Sequence, residues 1–183
     1  MTPHQRDARR SAALELLGDR GAATIEHPGG LLLGHLLRTE QTLRDWEAEE
    51  PTCLAGLCHA TYGTQGFPTA LVPETSRATL QRAIGVDAEA IVYRYGACDR
   101  DPTYPGLGPV KVTFADRFTG TSEVVGGDAL RAFALVTIAN ELDLVRLRAF
   151  DDETTRRVAD LFKHLATYAP VQAGLALGEM EVT

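Results

Sequence analysis

The sequence lacks the features by which several large classes of protein are recognised. It contains three cysteines, Cys53, Cys58 and Cys98, and no CxxC pair, so it predicts neither a disulfide framework nor a cysteine-based zinc site. Its longest apolar runs fall well short of the roughly 18 residues that cross a bilayer. The first ten residues are charged and no apolar stretch follows them, which is not the pattern of a secretory signal. We therefore expect a soluble protein of the cytoplasm, where cysteines stay reduced.

Positive charge is scarce as well. The 183 residues include 18 Lys and Arg against 25 Asp and Glu, a net charge of −7, and only Lys111 and Lys163 are lysines. The chain has no basic block that would follow nucleic-acid phosphates or hold it on an anionic membrane. The sequence therefore predicts no nucleic acid and no membrane as a partner, and a small molecule as the substrate.

The composition is that of a folded domain. Hydrophobic residues make up 44% and charged residues 23% of the chain, close to the average for soluble proteins. Its length suits one domain of about 100–200 residues, and no repeat or linker divides it. We therefore predict a single domain over residues 1–183. Apolar residues near its end would also suit the surface of a homo-oligomer: Phe162, Leu165, Leu175 and Leu177.

Hydrophobic periodicity predicts a mostly α protein. Apolar residues recur every three to four positions in most of the chain, as on the buried face of a helix. The predicted helices cover residues 4–18, 31–46, 51–61, 74–84, 87–95 and 129–148, and a last helix begins at Asp151 or Asp152. Weak alternation in residues 110–114 and 122–125 predicts a strand pair. The predicted fold is a helical bundle with at most one small β-hairpin.

Two histidines and one aspartate fall in apolar helical segments. His35 and His59 lie on consecutive predicted helices, and buried neutral imidazoles are common metal ligands. The alternative for each is a core histidine that bonds to a backbone carbonyl. Asp143 shares a helical face with apolar residues, so its carboxylate is predicted to point inward, where it needs a metal or a cation such as Arg146. Glu141 is the rival carboxylate, because its neighbours do not decide its direction.

The segments around these residues resemble the core of the HD-domain superfamily. They read HPGGLLLGHLLRT, LAGLCHATYGT and ANELD, as in an uncharacterised bacterial subgroup, and the resemblance covers about residues 27–147. It implies an HD-like helical bundle. It also implies that His35 is the first metal-binding histidine, that His59 is the histidine of the His-Asp dyad, and that Asp143 is the final aspartate.

The chain departs from the HD pattern directly after His59. Ala60 replaces the dyad aspartate, which in HD phosphohydrolases binds the metal and orients the attacking water. No histidine lies between His59 and His164, so the second metal of binuclear members is not predicted. In HD-fold oxygenases, residues just ahead of the first histidine approach the metal. His27 is the corresponding candidate here, and an ordinary loop histidine is the alternative.

The favoured hypothesis is therefore a mononuclear non-haem iron oxygenase that acts on a small metabolite. Two imidazoles and one carboxylate with open positions favour Fe(II) over Mn, Co or Zn. The alternatives are a metal-dependent (phospho)hydrolase, a non-catalytic binding protein with a degenerate site, and acid–base catalysis by the histidines without a metal. Tyr62 is the candidate catalytic residue. Tyr62, Arg94 and Tyr104 lead the candidates for substrate contact, which also include Tyr93, Tyr95 and Arg100. Packing is the alternative role for the tyrosines.

Overall fold

Within residues 2–182, which the computed structural model describes, the chain forms nine helices. They are α1 (Pro3–Asp19), α2 (Leu32–Asp45), α3 (Glu50–Cys58), α4 (Arg77–Ile84), α5 (Val86–Ala97), α6 (Arg100–Thr103), α7 (Gly127–Arg146), α8 (Asp152–Leu165) and α9 (Pro170–Val182). This confirms the prediction of a mostly α protein. None of these helices is both long and apolar enough to cross a membrane.

Two small antiparallel strand pairs accompany the helices. β3 (Lys111–Asp116) pairs with β4 (Thr121–Gly126) and forms the hairpin that the alternating residues predict. A second pair, β1 (Glu26–His27) with β2 (Gly30–Leu31), is additional to it and has only two residues in each strand. This short pair turns the chain back at the start of α2, so that His27 lies against that helix.

Two helices have almost no polar face, and this places them at the centre of the core. α3 is buried at every position over residues 52–58, and α7 is buried over residues 132–145. α2 and α5 pack against α3, and both also contact α7. Because this stretch of α7 is surrounded, the polar residues within 132–145 have little or no contact with bulk water. They must find partners on the neighbouring helices.

Helix α9 is absent from the elements that the sequence predicts. Its alanines and glycines give it little apolar periodicity, yet Ala173 and Ala176 are fully buried where α9 packs against α7 and α8. Phe162 and Leu165 are also fully buried within the chain. Their predicted place on an oligomer surface is therefore wrong, whereas Leu175 is exposed.

Candidate functional site

Three residues of the predicted site meet inside the helical core. His35 comes from α2, Asp143 comes from α7, and His59 follows the last residue of α3. All three are almost completely buried. An unpaired polar group in such a place costs roughly 2–7 kcal/mol, so the partners of each side chain decide what the cluster can do.

The Asp143 carboxylate is held by Arg38 and His35. Its Oδ1 accepts a hydrogen bond from Arg38 Nε at 2.6 Å. Its Oδ2 accepts from His35 Nδ1 at 2.6 Å and from Arg38 Nη2 at 3.0 Å. Burial alone would raise the pKa of Asp143, but the hydrogen bonds from His35 and Arg38 hold it below its ordinary value. Asp143 is therefore an anion at neutral pH, and Arg38 rather than Arg146 is its cation.

The Nε2 atoms of His35 and His59 face each other. His59 Nδ1 donates to the carbonyl of Gly56 at 2.8 Å, so the lone pair of its neutral ring is on Nε2. His35 Nδ1 donates to Asp143, so the same holds for neutral His35. The two Nε2 atoms are 3.3 Å apart, and Asn140 Oδ1 lies 3.0 Å from His35 Nε2. Three atoms with lone pairs therefore converge, and they form a place for a cation, either a proton or a metal ion.

His27 lies over this pair from strand β1. Its ring stacks on His35 with centroids 4.2 Å apart, and the edge of Phe67 contacts it at 4.9 Å between centroids. His27 Nδ1 accepts a hydrogen bond from the backbone N–H of Gly29 at 3.0 Å. The proton of its neutral ring is therefore on Nε2. The structure brings His27 to the cluster, but in this orientation its Nε2 offers a hydrogen rather than a lone pair.

The protein environment keeps two of these rings neutral. Burial, together with charge repulsion from His35, lowers the pKa of His59 to about 3. Burial, followed by repulsion from His35, lowers the pKa of His27 to about 4. Both rings are uncharged near pH 7, and the neutral imidazole is the form that binds metals.

A cavity of about 130 Å³ lies beside the cluster. Ligand pockets usually have roughly 300–1,000 Å³, so this one suits a small metabolite rather than a nucleotide. The histidine side of its wall contains His27, His59 and Asn140, together with the methyl group of Ala60. The same cavity is also lined by three further polar side chains: Tyr95, Arg100 and Glu141.

Arg100 and Glu141 face each other across part of this cavity. Arg100 Nη1 lies 3.5 Å from Glu141 Oε1, and Arg100 Nη2 donates to the hydroxyl of Tyr95 at 3.5 Å. Both distances are at the long limit of a hydrogen bond. Burial raises the pKa of Glu141, and Arg100 partly opposes that shift. The Tyr95 ring contacts His59 edge to face at 5.3 Å between centroids, so this one side chain connects Arg100 with the histidine cluster.

Tyr62 and Arg94, two of the predicted substrate contacts, lie elsewhere. The Tyr62 hydroxyl is buried and donates to Glu89 at 2.9 Å, and Arg77 also holds this carboxylate with two hydrogen bonds of 2.7 Å. Arg94 is 3.6 Å from Glu123 and lines two other clefts, of about 310 and 500 Å³. Tyr62 therefore belongs to a buried ion-pair network, and Arg94 belongs to another face of the molecule.

Tyr104, the third predicted contact, lies beside the cavity. The Arg100 guanidinium is 5.7 Å from the centre of its ring. The Tyr104 hydroxyl is buried and has no hydrogen-bond partner among the residues that the structure describes. Tyr104 thus lies next to Arg100, another candidate contact, which lines the cavity.

Sequence reasoning missed Arg38 and Asn140, although a signal for both was present. Arg38 lies three residues after His35 on α2, and Asn140 lies three residues before Asp143 on α7. Side chains three apart share one face of a helix. An inward histidine and an inward aspartate therefore each predict an inward neighbour at this spacing.

In this arrangement a single ion cannot contact His35, His59 and Asp143, three of the four predicted ligands, at the same time. Asp143 lies on the Nδ1 side of His35, whereas His59 lies on the Nε2 side. Within residues 2–182, no three His, Cys, Asp or Glu side chains form a group that would hold a metal ion. The two histidines with Asn140 remain as a donor set, because nitrogens 3.3 Å apart can both bind one ion at about 2.0–2.1 Å each.

Comparison with protein families relates part of the chain to other sequences but assigns no activity. Residues 16–100 are similar to a family described as "Domain of unknown function (DUF6817)". This segment contains the three clustered histidines and Arg100, but not Asn140 or Asp143. No curated protein matches the chain. The function must therefore be argued from the site.

Proposed function

We propose that the protein is a mononuclear metal-dependent enzyme that acts on a small metabolite in the cavity beside His59. The observation that carries this proposal is the convergence of lone pairs from His35 Nε2, His59 Nε2 and Asn140 Oδ1 in a buried space. Acceptor atoms that face one another in a buried space repel each other unless a cation lies between them, and imidazole is a good ligand for divalent iron and zinc. The resemblance of the same segments to HD domains supports the proposal.

In this proposal, His35 and His59 hold the ion through Nε2, with Asn140 beside them. Asp143 orients His35 through Nδ1, as outer carboxylates do for metal-binding histidines, and Arg38 keeps that carboxylate charged. When bound, the ion supplies a Lewis acid with open positions for oxygen-containing ligands. His27 stacks over His35 and restricts access from the β1 side.

Iron(II)-dependent oxygenation is the first reaction class to test. HD phosphohydrolases orient their attacking water with the aspartate that follows the dyad histidine, and here the methyl group of Ala60 lines the cavity instead. Two histidine ligands leave most positions of an iron ion open to dioxygen and substrate. Fe(II) is therefore preferred over Mn, Co or Zn.

Glu141 makes metal-dependent hydrolysis the second candidate. Its carboxyl group lines the same cavity, and burial raises its pKa. A raised pKa suits a group that takes a proton from water and returns it. Turnover under strict anaerobiosis with Mn, Co or Zn would favour hydrolysis, whereas substrate-dependent uptake of oxygen would favour oxygenation.

The proposal is tested by metal analysis of the untagged protein beside two histidine variants. We expect about one iron ion per chain in the wild type and in His164→Ala, because His164 is exposed and outside the cluster. His59→Ala should lose the metal and keep its helical circular dichroism. Unchanged metal in His59→Ala would mean that the ligand set is wrong. If the wild type holds no metal even after reconstitution, the non-catalytic binding protein is the hypothesis that remains.

The variant Asp143→Asn tests whether Asp143 only orients His35 or binds the metal ion directly. Loss of an outer carboxylate typically weakens metal binding about 10–100-fold, so this variant should still bind metal at a raised concentration. Complete loss of binding would instead place Asp143 in direct contact with the ion.

A further inference from the structure

Arg100 has more hydrogen-bond donors than its surroundings use. A guanidinium carries five N–H donors, and only 23% of the Arg100 side chain is exposed to solvent. Its nearest acceptors, Tyr95 and Glu141, are both 3.5 Å away. A buried cation with such long contacts has room for a closer and better aligned anion.

The position of Arg100 is set by the backbone rather than by the cavity. Its own N–H donates to Gln65 Oε1 at 2.6 Å, and it is the first residue of α6. Beside it, the Tyr104 ring is centred 5.7 Å from the guanidinium, and its buried hydroxyl has no partner in the described part of the chain. A preformed guanidinium that lines a cavity and has few close acceptors is a suitable binding arrangement for a small oxyanion.

The same arrangement faces the histidine cluster. Arg100 lines the cavity together with His59 and Asn140. The Tyr95 ring contacts His59, while its hydroxyl reaches Arg100. A ligand held at Arg100 would therefore share the cavity with His59 and Asn140.

We propose that Arg100 binds the carboxylate of the substrate, so that the site takes a small carboxylic acid. A single guanidinium with a carboxyl group 3.5 Å away carries at most one positive charge, which matches a monoanion better than a phosphate dianion. The cavity of about 130 Å³ sets the size. The term substrate rests on the proposed enzyme function, whereas the binding of the carboxylate does not need the metal.

The test is a titration of full-length protein, treated with a chelator, with acetate and pyruvate, followed by amide shifts in two-dimensional NMR. The chelator removes any bound metal ion, so a carboxylate that binds to the treated protein is not binding to a metal. Acetamide serves as the uncharged probe and inorganic phosphate as the competing anion. Both carboxylates should saturate, and acetamide should not.

Two matched variants test whether Arg100 is the residue that binds the carboxylate. Arg100→Gln should weaken binding of pyruvate by about tenfold or more, because it removes a charged, two-pronged donor. Arg94→Gln should leave it unchanged, since Arg94 is equally shielded at 24% exposure but lies on another face, 3.6 Å from Glu123. Arg100→Lys keeps the charge and loses the fork, so it should give an intermediate loss and serves if Arg100→Gln does not fold.

Several results would overturn the proposal. One is that Arg100→Gln and the wild type bind pyruvate with equal affinity. The others are that neither acetate nor pyruvate gives a saturable amide shift, or that phosphate binds as tightly as pyruvate. Metal content of the untreated protein separates this proposal from the enzyme function. Carboxylate binding by a protein that contains no metal would contradict the proposed metal-dependent function but support the role of Arg100. Bound metal without carboxylate binding would support the metal-dependent function and contradict the role of Arg100.

Discussion

The Asp143 carboxylate accepts hydrogen bonds on both oxygens, two from Arg38 and one from His35. It is 4% exposed, whereas the Arg38 side chain is 43% exposed. The ion pair therefore spans from the core to the surface. Removal of Arg38 would leave a buried charge with one hydrogen bond, and such groups are expensive to leave unpaired.

Arg38→Met should destabilise the protein by about 1–3 kcal/mol. Methionine keeps much of the apolar stem and removes the charge and the donors. The matched control is Arg146→Met, because Arg146 is 42% exposed and its partner Glu179 is 44% exposed. A surface pair of this kind contributes about 0–1 kcal/mol. Urea unfolding followed by circular dichroism measures both changes, and equal losses would contradict the structural role of the Arg38–Asp143 pair.

At the scale of elements, the close approach of α2 and α3 positions both histidines. Gly56 lies where the two helices meet, and a Cβ atom there would be 2.3 Å from Leu43 Cδ1. Leu43 is fully buried and cannot turn into solvent. The carbonyl of Gly56 also holds His59 through Nδ1. The absence of a side chain at this position therefore permits the close helix spacing, and the backbone carbonyl orients the His59 ring.

The same substitution in two helices should have opposite effects. Gly56→Ala should destabilise the protein by about 1–3 kcal/mol, because it overpacks a filled core. Gly174→Ala in α9 has nothing within 4 Å of the new Cβ and should stabilise by about 0.5–1 kcal/mol through helix propensity. Denaturant unfolding gives both values. A stabilising Gly56→Ala would show that α2 and α3 lie farther apart.

The elements also show where local patterns are insufficient. The long helices α2 and α7 have apolar residues at helical spacing, and their existence was predictable. Helix α9 is rich in small residues and is stabilised by its contacts with α7 and α8, which no local pattern reports. The pair β1–β2 is too short for an alternating pattern, so the approach of His27 to His35 was only a candidate in the sequence.

For the molecule as a whole, a buried cluster of neutral histidines makes folding depend on pH. The folded-state pKa values of His27 and His59 are about 4 and about 3, below the ordinary value of 6.5. Well above pH 6.5, neither the folded nor the unfolded chain binds a proton at these sites. Below it, the unfolded chain takes up protons that the folded chain does not, so stability falls as the pH falls.

Between pH 7.5 and pH 5, the chelator-treated protein should lose about 2 kcal/mol of stability for each of these histidines. Glu141 acts in the opposite direction, because its raised pKa makes the folded state bind its proton more tightly than the unfolded state. The contribution of Glu141 is the same in the wild type and in the histidine variants, so it cancels when their losses of stability are compared. His59→Gln should show a smaller loss than the wild type, and His164→Gln should show the same loss. Urea midpoints at the two pH values measure this, and a parallel loss in His59→Gln would contradict the neutral, buried His59.

The sequence by itself determined the helical class and the burial of His35, His59 and Asp143. Periodicity is a local property, and the apolar segments around His35, His59 and Asp143 leave these side chains no exposed face. The hydrogen-bond partners of those residues could not be predicted in the same way. Arg38 and Asn140 follow from helical spacing only after the inward face is known, and no spacing relates Arg100 to any of them.

Only the tertiary structure decided which ring nitrogen faces which partner. Asp143 lies on the Nδ1 side of His35, and His59 and Asn140 lie on its Nε2 side. This choice depends on how α2, α3 and α7 pack, and His35 is 105 and 108 positions from its α7 partners along the chain. The same packing places Arg100 beside the cavity and Arg94 outside it. Residue type and local pattern can nominate a ligand or an anchor, but its direction comes from contacts between distant parts of the chain.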